Sequence, residues 1–153
     1  MCVEGNPLAV DTLRENIRRN HGERSVKVFA NPVDYSGRTT VALRVDEELL
    51  GSSITGASII GEGAPAVTLS EIYRRSRFDR FALVCDIEGA EAGVFAREAL
   101  TLARCDQMIV ELHDTFYDGR HYQVADLRAA IEKLGFRFTA GRHNVCVYER
   151  GAA

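Results

Sequence analysis

Two apolar runs of strand length, FALVCDI (81–87) and QMIVELH (107–113), stand on either side of a segment with a helical pattern. No other feature of the chain constrains its fold as much. A near-continuous apolar run of five to seven residues suits a strand covered on both faces, and two such strands joined through a helix run parallel in one sheet. The intervening helix is expected over about 90–103, with Val94, Phe95 and Leu102 supplying its apolar surface. The first of the two strands reads as a central parallel strand.

The rest of the chain repeats this alternation. Asn6 is a good helix N-cap and Pro7 fits the first helical turn. Val10, Leu13 and Ile17 then recur on one face until 20–22 ends the helix. SVKVFA (25–30) and TTVALRV (39–45) read as strands separated by the turn NPVDYSG. The glycine-rich stretch 51–65 reads as an irregular loop, and its glycines at 51, 56, 61 and 63 do not spell a phosphate-cradling GxGxxG. Thr68 or Ser70 can cap the helix SEIYRRS. Residues 114–122 read as a polar and aromatic loop, and a helix over 123–134 shows Val124, Leu127, Ile131 and Leu134 at helical spacing before Gly135 stops it. FRFTA and NVCVYER, turned at 141–143, make a closing antiparallel hairpin that adds an edge to the sheet. The expected architecture is one α/β domain over 1–153 with helices on both faces of the sheet.

Composition matters here for what it excludes. Nineteen Lys+Arg against 22 Asp+Glu leave a net charge of −3, which gives no attraction to nucleic acid or to an anionic membrane. No apolar run approaches the roughly 18 residues of a membrane span, and no basic start precedes an apolar stretch at the N-terminus, so a cytoplasmic protein is expected. Cys2, Cys85, Cys105 and Cys146 show no CxxC pairing and read as reduced thiols.

In sheets of this kind ligands bind at the carboxyl ends of the strands. Three polar stretches end or follow apolar runs: Asp86 to Glu91, Glu111 to Asp114, and Glu4-Gly5-Asn6-Pro7. Asp86 suits a base that accepts a hydroxyl proton or a group that positions substrate. It also suits an N-cap for the helix near Ala90. Glu88 and Glu91, three apart, can complement the helix N-terminus. Glu111 and His113, two apart on a strand end, can jointly meet a substrate or a divalent metal. Nothing has a dedicated metal spacing such as HxxxH, so no metal centre is expected. His21, His121 and His143 lie in polar turns and read as solvated surface.

The order CVEGNPLAVDTLRENIRRN, then VTLSEIYRRSRFDRFALVCDIEGAEAGVF, then MIVELHD resembles the FkbM family of S-adenosylmethionine-dependent methyltransferases. DIEGAE (86–91) is the specific part, and the GSSIT loop and the acid shortly before Asn6-Pro7 follow in matching order. The resemblance implies a Rossmann-like class I methyltransferase sheet and methyl transfer to a hydroxyl of a small-molecule or glycan acceptor. It implies that Glu4 binds the ribose hydroxyls of S-adenosylmethionine, with Asn6 and Asn31 also at the cofactor. Asp86, Glu111 and His113 are then the catalytic group, and Glu88 contacts substrate.

The family pattern places a strand and a Gly-rich turn before the acid that corresponds to Glu4, and here only Met1, Cys2 and Val3 precede it. The sheet is therefore expected to be N-terminally truncated, with weak binding of S-adenosylmethionine by this chain alone. A homodimer that satisfies the open strand edges is the expected assembly. Two other readings stand beside the enzyme: a non-catalytic binding or assembly module of the same fold, and a metal-dependent hydrolase using Asp86, Glu111 and His113.

Overall fold

The structure, a computed structural model, describes residues 1–41 and 63–151. The GSSIT loop and the second half of the strand expected at 39–45 lie outside the described residues. The chain divides into two compact units, Met1–Thr68 and Leu69–Ala153.

The first unit holds short ladders around one helix. Strand β1 (Cys2–Val3) leads into helix α1 (Pro7–Arg19), and β2 (Val28–Phe29) returns parallel to β1. The expected punctuation is in place. The side chain of Asn6 accepts the Leu8 N–H at 3.0 Å and Pro7 opens the helix, where a missing N–H costs nothing. Arg18 and Arg19 in the last turn complement the helix dipole and share Glu15. Strand β3 (Thr40–Val41) pairs antiparallel with β4 (Ala64–Pro65), and an isolated bridge joins Val33 to Val67. SVKVFA therefore pairs over two residues, a much shorter ladder than its alternating pattern suggested.

The second unit carries the larger sheet. Its elements are α2 (Leu69–Ser76), β5 (Phe81–Cys85), α3 (Glu91–Arg97), α4 (Ala99–Leu102), β6 (Cys105–Glu111), β7 (Thr115–Tyr117), β8 (Arg120–Tyr122), α5 (Val124–Lys133), β9 (Phe136–Arg142) and β10 (Val145–Arg150). The sheet order is β5-β6-β10-β9. β5 and β6 are parallel as expected, and β10 is antiparallel to both of its neighbours. The closing hairpin thus places β10 inside the sheet and leaves β9 at its edge.

Three further expectations are corrected. The helix expected over 90–103 breaks at Glu98, which ends α3 and caps α4 with φ −107°. Its buried carboxylate accepts the Ser70 N–H at 3.0 Å and the Thr101 hydroxyl at 2.7 Å, and these bonds hold the break in place. Residues 114–122 are mostly a hairpin. Asp118 and Gly119 both take positive φ (50° and 74°), as a two-residue turn between twisted strands requires, and β7 pairs antiparallel with β8. β5 is not central in this sheet: among the described residues it pairs only with β6, and Val84 is 77% exposed.

Alternation explains that exposure. Cys85, Met108, Val110, Cys146 and Tyr148 point to one face and are buried, while Val84 and Ile109, neighbours in register, point to the other and are exposed. The core of the unit is built on the first face with Val94, Phe95, Leu102, Leu127 and Ile131. Helices on both faces were expected, and within this unit one face is packed. Arg150 ties the core's ends together. Its guanidinium lies 4.2 Å above the Phe136 ring and donates to the carbonyls of Cys105 at 2.8 Å, Leu134 at 3.2 Å and Leu102.

Cys85, Cys105 and Cys146 are buried free thiols, and Cys2 is a partly exposed one. No helix among the described residues is long and apolar enough to cross a membrane.

Candidate functional site

The polar residues that follow β5 and end β6 converge on one imidazole. The chain leaves β5 at Cys85, passes Asp86 and Ile87, and turns sharply at Glu88 and Gly89, with φ of 49° and 101°. Two successive left-handed residues are costly unless the surroundings fix them. The fixing contact is Thr115, whose hydroxyl donates to the Gly89 carbonyl at 2.7 Å. A Cβ on Gly89 would stand 3.0 Å from that hydroxyl oxygen, so glycine is required here by both dihedral and space.

The turn delivers Glu91 to the first turn of α3 with 0% of its surface exposed. Oε1 of Glu91 lies 3.1 Å from Nδ1 of His113 and accepts the Ile87 N–H at 3.4 Å. Oε2 is buried with no hydrogen-bond partner among the described residues. On the other side of the ring, His113 Nε2 is 3.7 Å from Oε2 of Glu88 and 3.9 Å from Oε1 of Glu111. Asp86 completes the group: one ligating atom each from Asp86, Glu91 and His113 lie within 4.8 Å of one another.

The charge balance of this group is one-sided. Burial pushes the Glu91 carboxyl up, and its own backbone N–H and His113 pull the other way without reversing the shift. For His113, burial favours the neutral ring. The Glu91 hydrogen bond and the charges of Glu91, Glu88 and Asp86 outweigh it, so the imidazole is raised above its ordinary value. Both shifts favour the protonated forms.

The segment after His113 is anchored too. Asp114 accepts the Val124 N–H at the start of α5 at 2.8 Å, and Arg97 of α3 donates to the Tyr117 hydroxyl at 2.9 Å. His113 is therefore held between a long paired strand and a capped helix.

The structure brings Asp86, Glu88, Glu111 and His113 together as the sequence suggested. Asp86 does not act as a helix cap: the N-cap of α3 is Ala90, with no side-chain cap bond. Sequence reasoning gave Glu91 a helix-terminal role and missed its contact with His113. Its position as the last acid of DIEGAE was the available signal, but the residue it meets lies 22 positions on.

In the first unit, Glu4 follows β1 and its Oε1 accepts the Asn6 N–H at 2.7 Å. Asn6 is buried at the head of α1. Asn31 donates from Nδ2 to the Pro65 carbonyl at 3.0 Å. In a comparison with known families, the methyltransferase FkbM domain model matches residues 3–138. No match was found among curated proteins or solved structures.

Proposed function

The chain belongs to the FkbM methyltransferase family, and from that premise we propose that it transfers a methyl group from S-adenosylmethionine to a hydroxyl of a sugar or natural product. The family match over most of the chain carries this reading, and the reading includes a class I methyltransferase sheet. The strand-end cluster supplies the groups that hydroxyl chemistry needs.

The residues present fit the cofactor where they can be tested. Glu4 has one carboxylate oxygen committed to the Asn6 N–H and a second with no hydrogen bond among the described residues, which suits a ribose hydroxyl donor. Asn31 uses its Nδ2 for the Pro65 carbonyl, and its Oδ1 has no hydrogen bond among the described residues. Bound S-adenosylmethionine would supply an electrophilic sulfonium methyl for the acceptor oxygen, with S-adenosylhomocysteine as the leaving product.

The chain's own contribution is to hold the hydroxyl and take its proton. Asp86 and Glu111, on adjacent strand ends, are the carboxylates placed to accept it, while His113 and Glu88 orient the acceptor. The strained Glu88-Gly89 turn and the buried Glu91 fix these groups before substrate arrives.

The direct test is incubation with S-[methyl-³H]adenosylmethionine and a panel of hydroxylated sugars and polyketides. The reading expects label in an O-methyl product. A panel that yields none, with cofactor bound, would refute O-methyl transfer to these classes.

A further inference from the structure

The cluster at the ends of β5 and β6 gathers four carboxylates around a single imidazole. Asp86, Glu88, Glu91 and Glu111 surround His113, and among the described residues none of the four carboxylates is in ion-pair contact with a lysine or arginine. One of them, Glu91, is buried, and its Oε2 has no hydrogen-bond partner among the described residues. A buried carboxylate oxygen without a donor keeps its desolvation penalty unoffset, which an ion bound by this carboxylate would relieve.

We propose that Asp86, Glu91 and His113 bind a divalent cation of the manganese-to-zinc group. The spacing is compatible with one shared ion. Two ligands about 2.1 Å from one ion and at right angles to each other stand about 3 Å apart, and Glu91 Oε1 and His113 Nδ1 are 3.1 Å apart. All three ligating atoms lie within 4.8 Å of one another. Two carboxylates with one imidazole suit a borderline ion better than calcium or magnesium, which take oxygen almost exclusively.

The surroundings fit as well. An imidazole that binds metal through Nδ1 carries its proton on Nε2 and needs an acceptor there. Glu88 and Glu111 stand at 3.7 and 3.9 Å on that side of the ring. Three protein ligands leave positions open on the ion. If the methyl-transfer reading above holds, an open position is where an acceptor hydroxyl would meet the charge that lowers its pKa. The cation site itself does not depend on that reading.

The experiment is a titration of the full chain with MnCl₂, followed by the fall of the free Mn²⁺ electron paramagnetic resonance signal. One ion per chain with micromolar affinity is expected, weakened at least tenfold in Asp86→Asn and Glu91→Gln and unchanged in Glu132→Gln on α5. Should Glu91→Gln fail to fold, electron spin-echo modulation of Mn²⁺ bound to the unaltered chain gives the same answer through ¹⁴N coupling from the imidazole. Absence of binding below 1 mM, equal binding by Asp86→Asn, or a bound ion without nitrogen coupling would each overturn the proposal. Calorimetry with S-adenosylmethionine on the same samples separates the two readings. Cofactor binding without Mn²⁺ binding refutes the cation site alone, and Mn²⁺ binding without cofactor binding supports the site independently of the methyl-transfer reading.

Discussion

The two units of the chain are held together by different means. In Met1–Thr68 the strands pair over two residues each, and the buried apolar residues among the described ones are Val10, Pro32, Val41 and Val67. In Leu69–Ala153 the strands of the main sheet run for five to seven residues over a core that includes Phe95, Leu102, Met108, Leu127, Ile131 and Tyr148. The acidic groups differ in the same sense. Glu4 is partly exposed and takes a backbone N–H, an arrangement that a short ladder can hold. Glu91 is buried beside a histidine, behind two left-handed residues, and only a core that over-determines the backbone keeps such an arrangement in place. The costly, buried acid–histidine arrangement is located where the packing can offset its cost.

The largest effects that probe this contrast are core truncations. Ile131→Ala, at a fully buried position, is expected to cost about 2–5 kcal/mol, and Val10→Ala in the first unit about 1–2 kcal/mol. Urea denaturation of both variants checks this. Equal losses would remove the contrast between the units.

A smaller effect separates two glycines that share a left-handed backbone. Gly37 has φ 82° and open space where a Cβ would go, whereas Gly89 has φ 101° and Thr115 at 3.0 Å. Gly37→Ala should show only the dihedral cost of roughly 1–2 kcal/mol. Gly89→Ala should lose more than that and disturb the cluster as well. If Gly89→Ala is the milder change, the turn is not held by Thr115 as described.

The sequence disclosed these regions unequally, and the reasons are physical. Helices α1 and α5 were legible because their ends carry strong local signals, Asn6-Pro7 before α1 and Gly135, at φ 87°, after α5, and the β9–β10 hairpin because a turn separates two strand-like runs. The break at Glu98 was not legible. It depends on the Ser70 N–H, 28 residues away, which no local pattern reports. The β7–β8 hairpin had a local signal in Asp118-Gly119, but its short flanking strands are rich in polar and aromatic residues and resemble a loop. The exposure of Val84 was also hidden, because an apolar run announces a strand without saying how many neighbours it has. Within the site, DIEGAE and ELH marked the strand ends, and the joining of Glu91 to His113 came only from the fold.

The central claim is that the cluster at the ends of β5 and β6 performs the chemistry and does not merely support the fold. Asp86→Asn tests it most directly, with methyl transfer from labelled S-adenosylmethionine and cofactor affinity measured on the same preparation. The account predicts that turnover falls at least tenfold while cofactor affinity and thermal midpoint stay within error, because the exposed Asp86 carboxylate caps no helix. Unchanged turnover with a lowered thermal midpoint would contradict it and return Asp86 to a structural role.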